Sequence, residues 1–189
     1  MYGFFVSITL MGDSFKFFGG GFSQELLTTT SNPFVGLFIG ILATSLVQSS
    51  STTTSMTVAL VAGGAIEVSG AIPIVIGANI GTSVTNTLVS VGHISRPAEF
   101  RRAFSAATVH DFFNLLAVLI LFPLQIATNF LGHISNFLGI QFRDFGGMQL
   151  INPIKLIVDP VADFISRLTG ESGTMMLTIS IILLFVALR

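Results

Sequence analysis

Cysteine and tryptophan are absent from these 189 residues, tyrosine occurs once, and only 9% of the residues are charged. Without cysteine there can be no disulfide and no thiolate metal site. A soluble domain carries about 25% charged residues. The low charge, with 51% hydrophobic residues and a mean hydropathy of +0.87, therefore excludes an ordinary water-soluble globule. The chain reads as an all-α integral membrane protein. Its formal net charge of −1 leaves no electrostatic footprint for a nucleic acid. Interfacial belts normally use Trp and Tyr, so the 19 Phe speak for lipid-facing and core packing. No Lys or Arg lies between Lys16 and Arg96. A long stretch of the chain thus has no fixed positive charge with which to hold an anion.

What is present centres on the run Gln48-Ser49-Ser50-Ser51-Thr52-Thr53-Thr54-Ser55, eight uncharged hydrogen-bonding side chains in a row. Apolar arms flank it, 33–46 before and 56–65 after. Hydroxyls in lipid have no partners, so these must face protein, water or a bound ion. About 13 residues of helix reach only about 20 Å, against a hydrocarbon core of roughly 30 Å. Neither arm spans alone. The expected arrangement is a re-entrant helical hairpin over about 33–65, turning at the polar run. The bland alternative is a membrane helix whose Ser and Thr bond their own carbonyls or join neighbouring helices.

Along the chain, 1–11 is apolar but short. It has no basic leader and no small-residue cleavage site, which argues against a signal peptide. Gly19-Gly20-Gly21 is expected to be a hinge and 24–32 a polar connection, with Asn32 capping a helix that starts at Pro33. The segment 71–91 is long enough to span, but Asn79, Thr82, Ser83, Thr85, Asn86 and Thr87 interrupt it between apolar ends. Gly77 and Gly81 would let it unwind, so a broken transmembrane helix is expected there. The alternative for Gly36, Gly40, Gly77 and Gly81 is a set of packing notches. The loop 93–102 carries Arg96, Arg101 and Arg102 against Glu99, which places it in the cytoplasm by the positive-inside rule. A clear span, 103–125, follows and holds His110, Asp111 and Asn114. An ionisable residue in such a place is a functional candidate. Residues 126–140 have amphipathic helical spacing. Residues 1–140 thus form the membrane unit. Residues 141–173 read as an external connecting segment with a slight acidic excess, and 174–189 as the start of a further transmembrane helix. The chain stops inside that apolar segment, so a fragment is expected.

Three blocks, in order and at matching spacing, resemble the type II sodium-dependent phosphate cotransporters. They are the run from Gln48 to Ser55, Gly77-Ala78-Asn79-Ile80-Gly81-Thr82-Ser83-Val84-Thr85-Asn86-Thr87, and Phe100-Arg101-Arg102-Ala103-Phe104 with Ala107-Thr108-Val109-His110-Asp111-Phe112-Phe113-Asn114. The resemblance is strong over about 33–125. It implies one repeat of an inverted-repeat transporter, each repeat giving one Gln-Ser-Ser-Ser hairpin to a shared site. Only one such run occurs here, so a second repeat is expected as partner, from the same polypeptide or from a second copy inserted antiparallel. Electrogenic animal members carry an Asp in the loop matching 91–97, which this chain lacks.

The chemistry fits that resemblance. Phosphate brings about −1.5 to −2 charges and strong acceptor oxygens, and the polar run offers only neutral donors. Cations must accompany the anion, and hydroxyl and carbonyl oxygens suit Na+. Gln48, Ser49, Ser50, Ser51, Thr52 and Thr53 are the expected phosphate ligands. Thr82, Thr85, Asn86, Thr87 and Asn114 are the expected sodium ligands, Thr87 and Asn114 mainly because the resemblance implies them. Asn79, Ser83 and Asp111 are secondary candidates. The expected metal is Na+ alone, with no further cofactor, in a plasma or bacterial inner membrane. Rival readings are a passive anion channel, a non-transporting half, and an intramembrane hydrolase. The last lacks a Gly-x-Ser-x-Gly elbow, and adjacent His110 and Asp111 point to different helix faces.

Overall fold

A computed structural model describes residues 2–18, 20–145, 153–170 and 172–188; the side chains of Lys16, Phe22, Ser23, Thr85, 142–145 and 153–156 are outside the description. The described residues are helical almost throughout, in the order α1 Tyr2–Phe17, α2 Gly20–Thr30, α3 Pro33–Val47, α4 Ser50–Ala62, α5 Val68–Val91, α6 Pro97–Thr128, α7 Phe130–Phe145, α8 Pro153–Leu168 and α9 Gly173–Leu188. By length and composition α5 and α6 can each cross a membrane, and α2 with α3 pass the same test as a pair bent by 102°.

Local chemistry sets the breaks. Asn32 caps α3 as expected, its Oδ1 accepting from the Phe34 N–H at 3.0 Å ahead of Pro33. The expected polar connection at 24–32 is instead largely helix. Its threonines do not open the backbone, because Thr28 and Thr30 donate to carbonyls of their own helix. Of the expected glycine hinge, Gly19 lies outside the described residues, and α2 begins at Gly20. The amphipathic helix starts at Phe130 rather than at 126. Asn129 ends α6 in the left-handed conformation (φ 47), and the buried Gln125 side chain accepts from the Leu131 N–H at 2.9 Å.

Small residues set the packing. A Cβ placed on Gly40 would lie 2.0 Å from the Ile74 carbonyl oxygen, and one on Gly77 2.0 Å from that of Leu37. One on Gly81 would lie 2.5 Å from Thr44 Cβ. Helices α3 and α5 therefore run side by side in the same direction with backbones in contact. This corrects the expected broken helix at 71–91. The backbone of α5 is helical without interruption, because Gly77 and Gly81 serve as notches for α3 rather than as points of unwinding. On the other side, α9 runs antiparallel to α1, with Gly3 beside Ala187 and Gly173 beside Ser14. Leu10, Met11, Met176 and Leu184 are fully buried there. Gly12 and Gly63 touch where α1 meets the end of α4. Helix α8 packs Val158 and Ala162 inward, and the Tyr2 hydroxyl donates to the Ile157 carbonyl at 2.9 Å.

Gly40→Val and Gly77→Val should each lower the melting temperature in detergent, since overpacking costs about 1–3 kcal/mol. Gly139→Ala, where an added Cβ meets nothing within 4 Å, should leave it unchanged. Circular dichroism melts check this, and equal melting of all three variants would contradict the notch assignment.

Candidate functional site

The polar run is where α3 gives way to α4. Gln48 ends α3 in the left-handed conformation (φ 57, ψ 28), and its N–H closes on the Thr44 carbonyl at 2.7 Å. For a residue with a Cβ that conformation costs on the order of 1 kcal/mol. Ser49 is extended (φ −152, ψ 107) and caps α4, its Oγ accepting from the Thr52 N–H at 3.3 Å. The chain then doubles back. Thr44 and Thr53 meet across the turn, Thr44 Oγ1 donating to Thr53 Oγ1 at 2.9 Å, both buried. The carbonyl end of α3 and the N–H end of α4 are left two residues apart. Helix ends carry opposite partial charges, positive at the N-terminus and negative at the C-terminus.

Ser49, Ser51 and Thr52 form one wall of a cavity of about 410 Å³, and Phe185, Val186 and Leu188 of α9 form the other. Thr52 Oγ1 donates to Ser49 Oγ at 2.9 Å, and Ser49 Oγ and Ser51 Oγ share a hydrogen bond at 3.1 Å. Ser50 opens α4, half-buried. Gln48 and Ser51 are exposed. Thr53 lies behind the cavity, its hydroxyl engaged with Thr44 and with the Ser49 carbonyl.

The second group of residues gathers between α5 and α6. Asn114 Nδ2 donates to Ser83 Oγ at 2.9 Å and to the Asn79 carbonyl at 3.3 Å. Asn86 Nδ2 lies 3.3 Å from His110 Nδ1, and Thr87 Oγ1 donates to Asp111 Oδ2. Thr82 Oγ1 turns back to the Ala78 carbonyl at 3.2 Å. The Thr85 side chain lies outside the described residues; its backbone belongs to α5. The contacts of Gly40 with Ala78 and of Thr44 with Gly81 fix the register between α3 and α5.

Two contributors escaped the sequence. Thr44 is the staple that closes the hairpin; its signal was one of two adjacent hydroxyl residues, Thr44 and Ser45, in an otherwise apolar arm. The α9 wall had none, because Phe185, Val186 and Leu188 are ordinary apolar residues brought there by the packing of α9 along α1. Among the described residues no group of three or more His, Asp or Glu side chains is placed to share a metal ion.

Comparison with known proteins agrees with this arrangement of sequence blocks. The Na+/Pi-cotransporter family profile matches residues 4–152. Sodium-dependent phosphate transport protein 2A of Ovis aries is 44% identical over 171 residues, 89% of this chain and 27% of that protein. The Rattus norvegicus 2A protein is likewise 44% identical over the same shares. Sodium-dependent phosphate transport protein 2B of Homo sapiens is 42% identical, over 89% of this chain and 25% of that protein. The chain thus spans about a quarter of the length of these relatives. No solved structure matches it. On the profile match and these identities, the chain belongs to the Na+/Pi-cotransporter family.

Proposed function

We propose that this chain supplies one half of a sodium-coupled path for inorganic phosphate, with the α3–α4 hairpin dipping part-way into the bilayer and returning to the side it entered from. Arms of 15 and 13 residues reach about 20 Å each, short of the roughly 30 Å core. The tip then sits near mid-membrane, where irregular backbone is tolerated only beside a protein-enclosed cavity.

The observation that carries this reading is the start of α4, with the Ser49, Ser51 and Thr52 hydroxyls, set on one wall of a cavity two residues after α3 ends. At the start of α4 the Ser50 and Ser51 N–H groups have no intrahelical acceptor to use, and Ser49, Ser51 and Thr52 add hydroxyls around them. That set suits an oxyanion. At the end of α3 the last carbonyls suit an alkali cation. A phosphate dianion brought to this depth without counter-charge would be prohibitively unfavourable, and the hairpin has no basic residue. Sodium must therefore enter with it. Each ligand then raises the affinity of the site for the other, which is the thermodynamic content of coupling. Ions approaching along α5 meet Asn79, Thr82, Ser83, Thr85, Asn86 and Thr87, with Asn114 reaching across from α6.

A second repeat, from the same polypeptide or an antiparallel second copy, would complete the pocket. Gln48 and Ser51 are exposed, and Leu46 beside them is 83% exposed, which supports a partner at the tip. The arginine loop 93–102 lies in the cytoplasm and 141–173 outside, in a plasma or bacterial inner membrane.

Two outcomes are expected of the complete protein in vesicles. Ser51→Ala removes a hydroxyl from the anion while disturbing little packing. A hydrogen bond to a charged group contributes about 1.5–3 kcal/mol, so the apparent phosphate affinity of sodium-driven uptake should fall about ten- to a hundred-fold. Unchanged uptake would remove Ser51 from the site. Ser95→Cys, in the complete protein with any cysteine outside these 189 residues replaced, should react with a membrane-impermeant maleimide from the cytoplasmic face only. Labelling from both faces would instead show dual insertion.

A further inference from the structure

The joint between α6 and α7 is built more firmly than a connection requires. Asn129 ends α6 in the left-handed conformation. The buried Gln125 side chain grips both sides of the turn: Nε2 donates to Asn129 Oδ1 at 2.9 Å, and Oε1 accepts from the Leu131 N–H. A Cβ on Gly132 would lie 2.4 Å from Asn129 Oδ1, so a larger residue there would push the Asn129 amide off Gln125. An elbow held in this way fixes the direction of the helix that follows. Yet past Gly132 that helix is left bare, with every residue from His133 to Gln141 exposed.

Over 130–139 helix α7 is two-sided. Ile134, Phe137 and Leu138 share one side, and Ser135, Asn136 and Gly139 lie opposite. At 16 residues it is about 24 Å long, too short and too polar to span. In water its three large apolar side chains would stay wetted, at a cost that scales with their area. The place where α7 starts decides what covers them. Phe122 packs edge-on against Phe34 at 5.3 Å, two residues inside the Asn32 cap, so this end of α6 is level with the polar start of α3. The exposed apolar flank of α6, with Ile120, Leu124 and Ile126, runs up to the elbow, and α6 is long and apolar enough to cross a membrane. The surface that faces hydrocarbon is therefore continuous with the root of α7.

We propose that α7 lies in the plane of the membrane at the headgroup boundary, with Ile134, Phe137 and Leu138 seated among the acyl chains and Asn136 toward water, and that it anchors this end of α6. Its partner is the lipid surface itself. Between Asp111 and Arg143 the sequence has no Asp, Glu, Lys or Arg, so the seat rests on apolar burial alone. Interfacial helices rich in Lys and Arg draw on anionic lipids as well; this one does not need them. The elbow gives the anchor its use. A helix held in the surface at one end of a span fixes the depth and tilt of that span, and α6 brings Asn114 against α5. The placement rests on α6 crossing the bilayer and is independent of what the protein carries.

Nitroxide labels on single cysteines of the complete protein, its other cysteines replaced, in phosphatidylcholine vesicles test this. Oxygen partitions into lipid and a nickel chelate stays in water, so their collisions with each label report its surroundings. Labels at Ile134→Cys and Leu138→Cys, exposed positions where folding is not at stake, should be reached by oxygen in preference to nickel. A label at Ile120→Cys in the span should behave likewise, and one at Asn136→Cys should favour nickel. The same pattern should hold when phosphatidylserine replaces part of the phosphatidylcholine. Nickel access at 134, 136 and 138 alike would place α7 in water. Shielding of 134 and 138 from both reagents would place it against a second copy or another part of the protein. Either result overturns the proposal, as does a lipid seat that forms only with phosphatidylserine. Nickel access at 120 would overturn the span of α6, and this placement with it.

Discussion

Everything at the hairpin depends on one reversal of backbone direction at Gln48 and Ser49. Ser50 to Ser55 lie in α4, where Thr53 and Ser55 bond the carbonyls four residues back; only Gln48 and Ser49 leave the helix. One left-handed residue followed by one extended residue ends α3 and starts α4 two residues later. The local conformational cost at Gln48 is offset by the closure it permits, the Gln48 N–H on the Thr44 carbonyl and Thr44 on Thr53.

The reversal needs a rigid support, and in an apolar solvent the hydrophobic effect does not provide one. Close approach does. Gly36, Gly40, Gly77 and Gly81 bring α3 against α5 along their length, and Gly12 against Gly63 ties α4 to α1. Ser7, Ser14 and Ser180 are fully buried with their hydroxyls returned to their own helices, so they act as small packing residues. Polar groups that cannot return inward, those of Asn86, His110, Asp111 and Asn114, concentrate at the seam of the two long helices.

Much of this was legible in the residues, for a physical reason. Eight adjacent polar side chains between half-length arms cannot be hidden in lipid, so the position of the turn followed from desolvation alone. Asn32-Pro33 was equally direct. The glycines were not, because a glycine that permits unwinding and one that admits a neighbouring backbone look the same until the neighbour is known. Gly77 and Gly81 proved to be of the second kind. The threonines of α2 concealed a helix by satisfying its carbonyls. The pairing of Thr87 with Asp111 and the α9 wall at the cavity were beyond reach, since both depend on contacts between helices distant in sequence.

The central claim is that a neutral pocket built from two helix ends accepts a phosphate ion only together with sodium. The most direct measurement is the equilibrium binding of radiolabelled phosphate to the complete protein, with sodium replaced stepwise by choline at constant ionic strength. The account predicts that phosphate affinity collapses as sodium is withdrawn and returns when it is restored. Phosphate binding of equal strength in choline alone would contradict it.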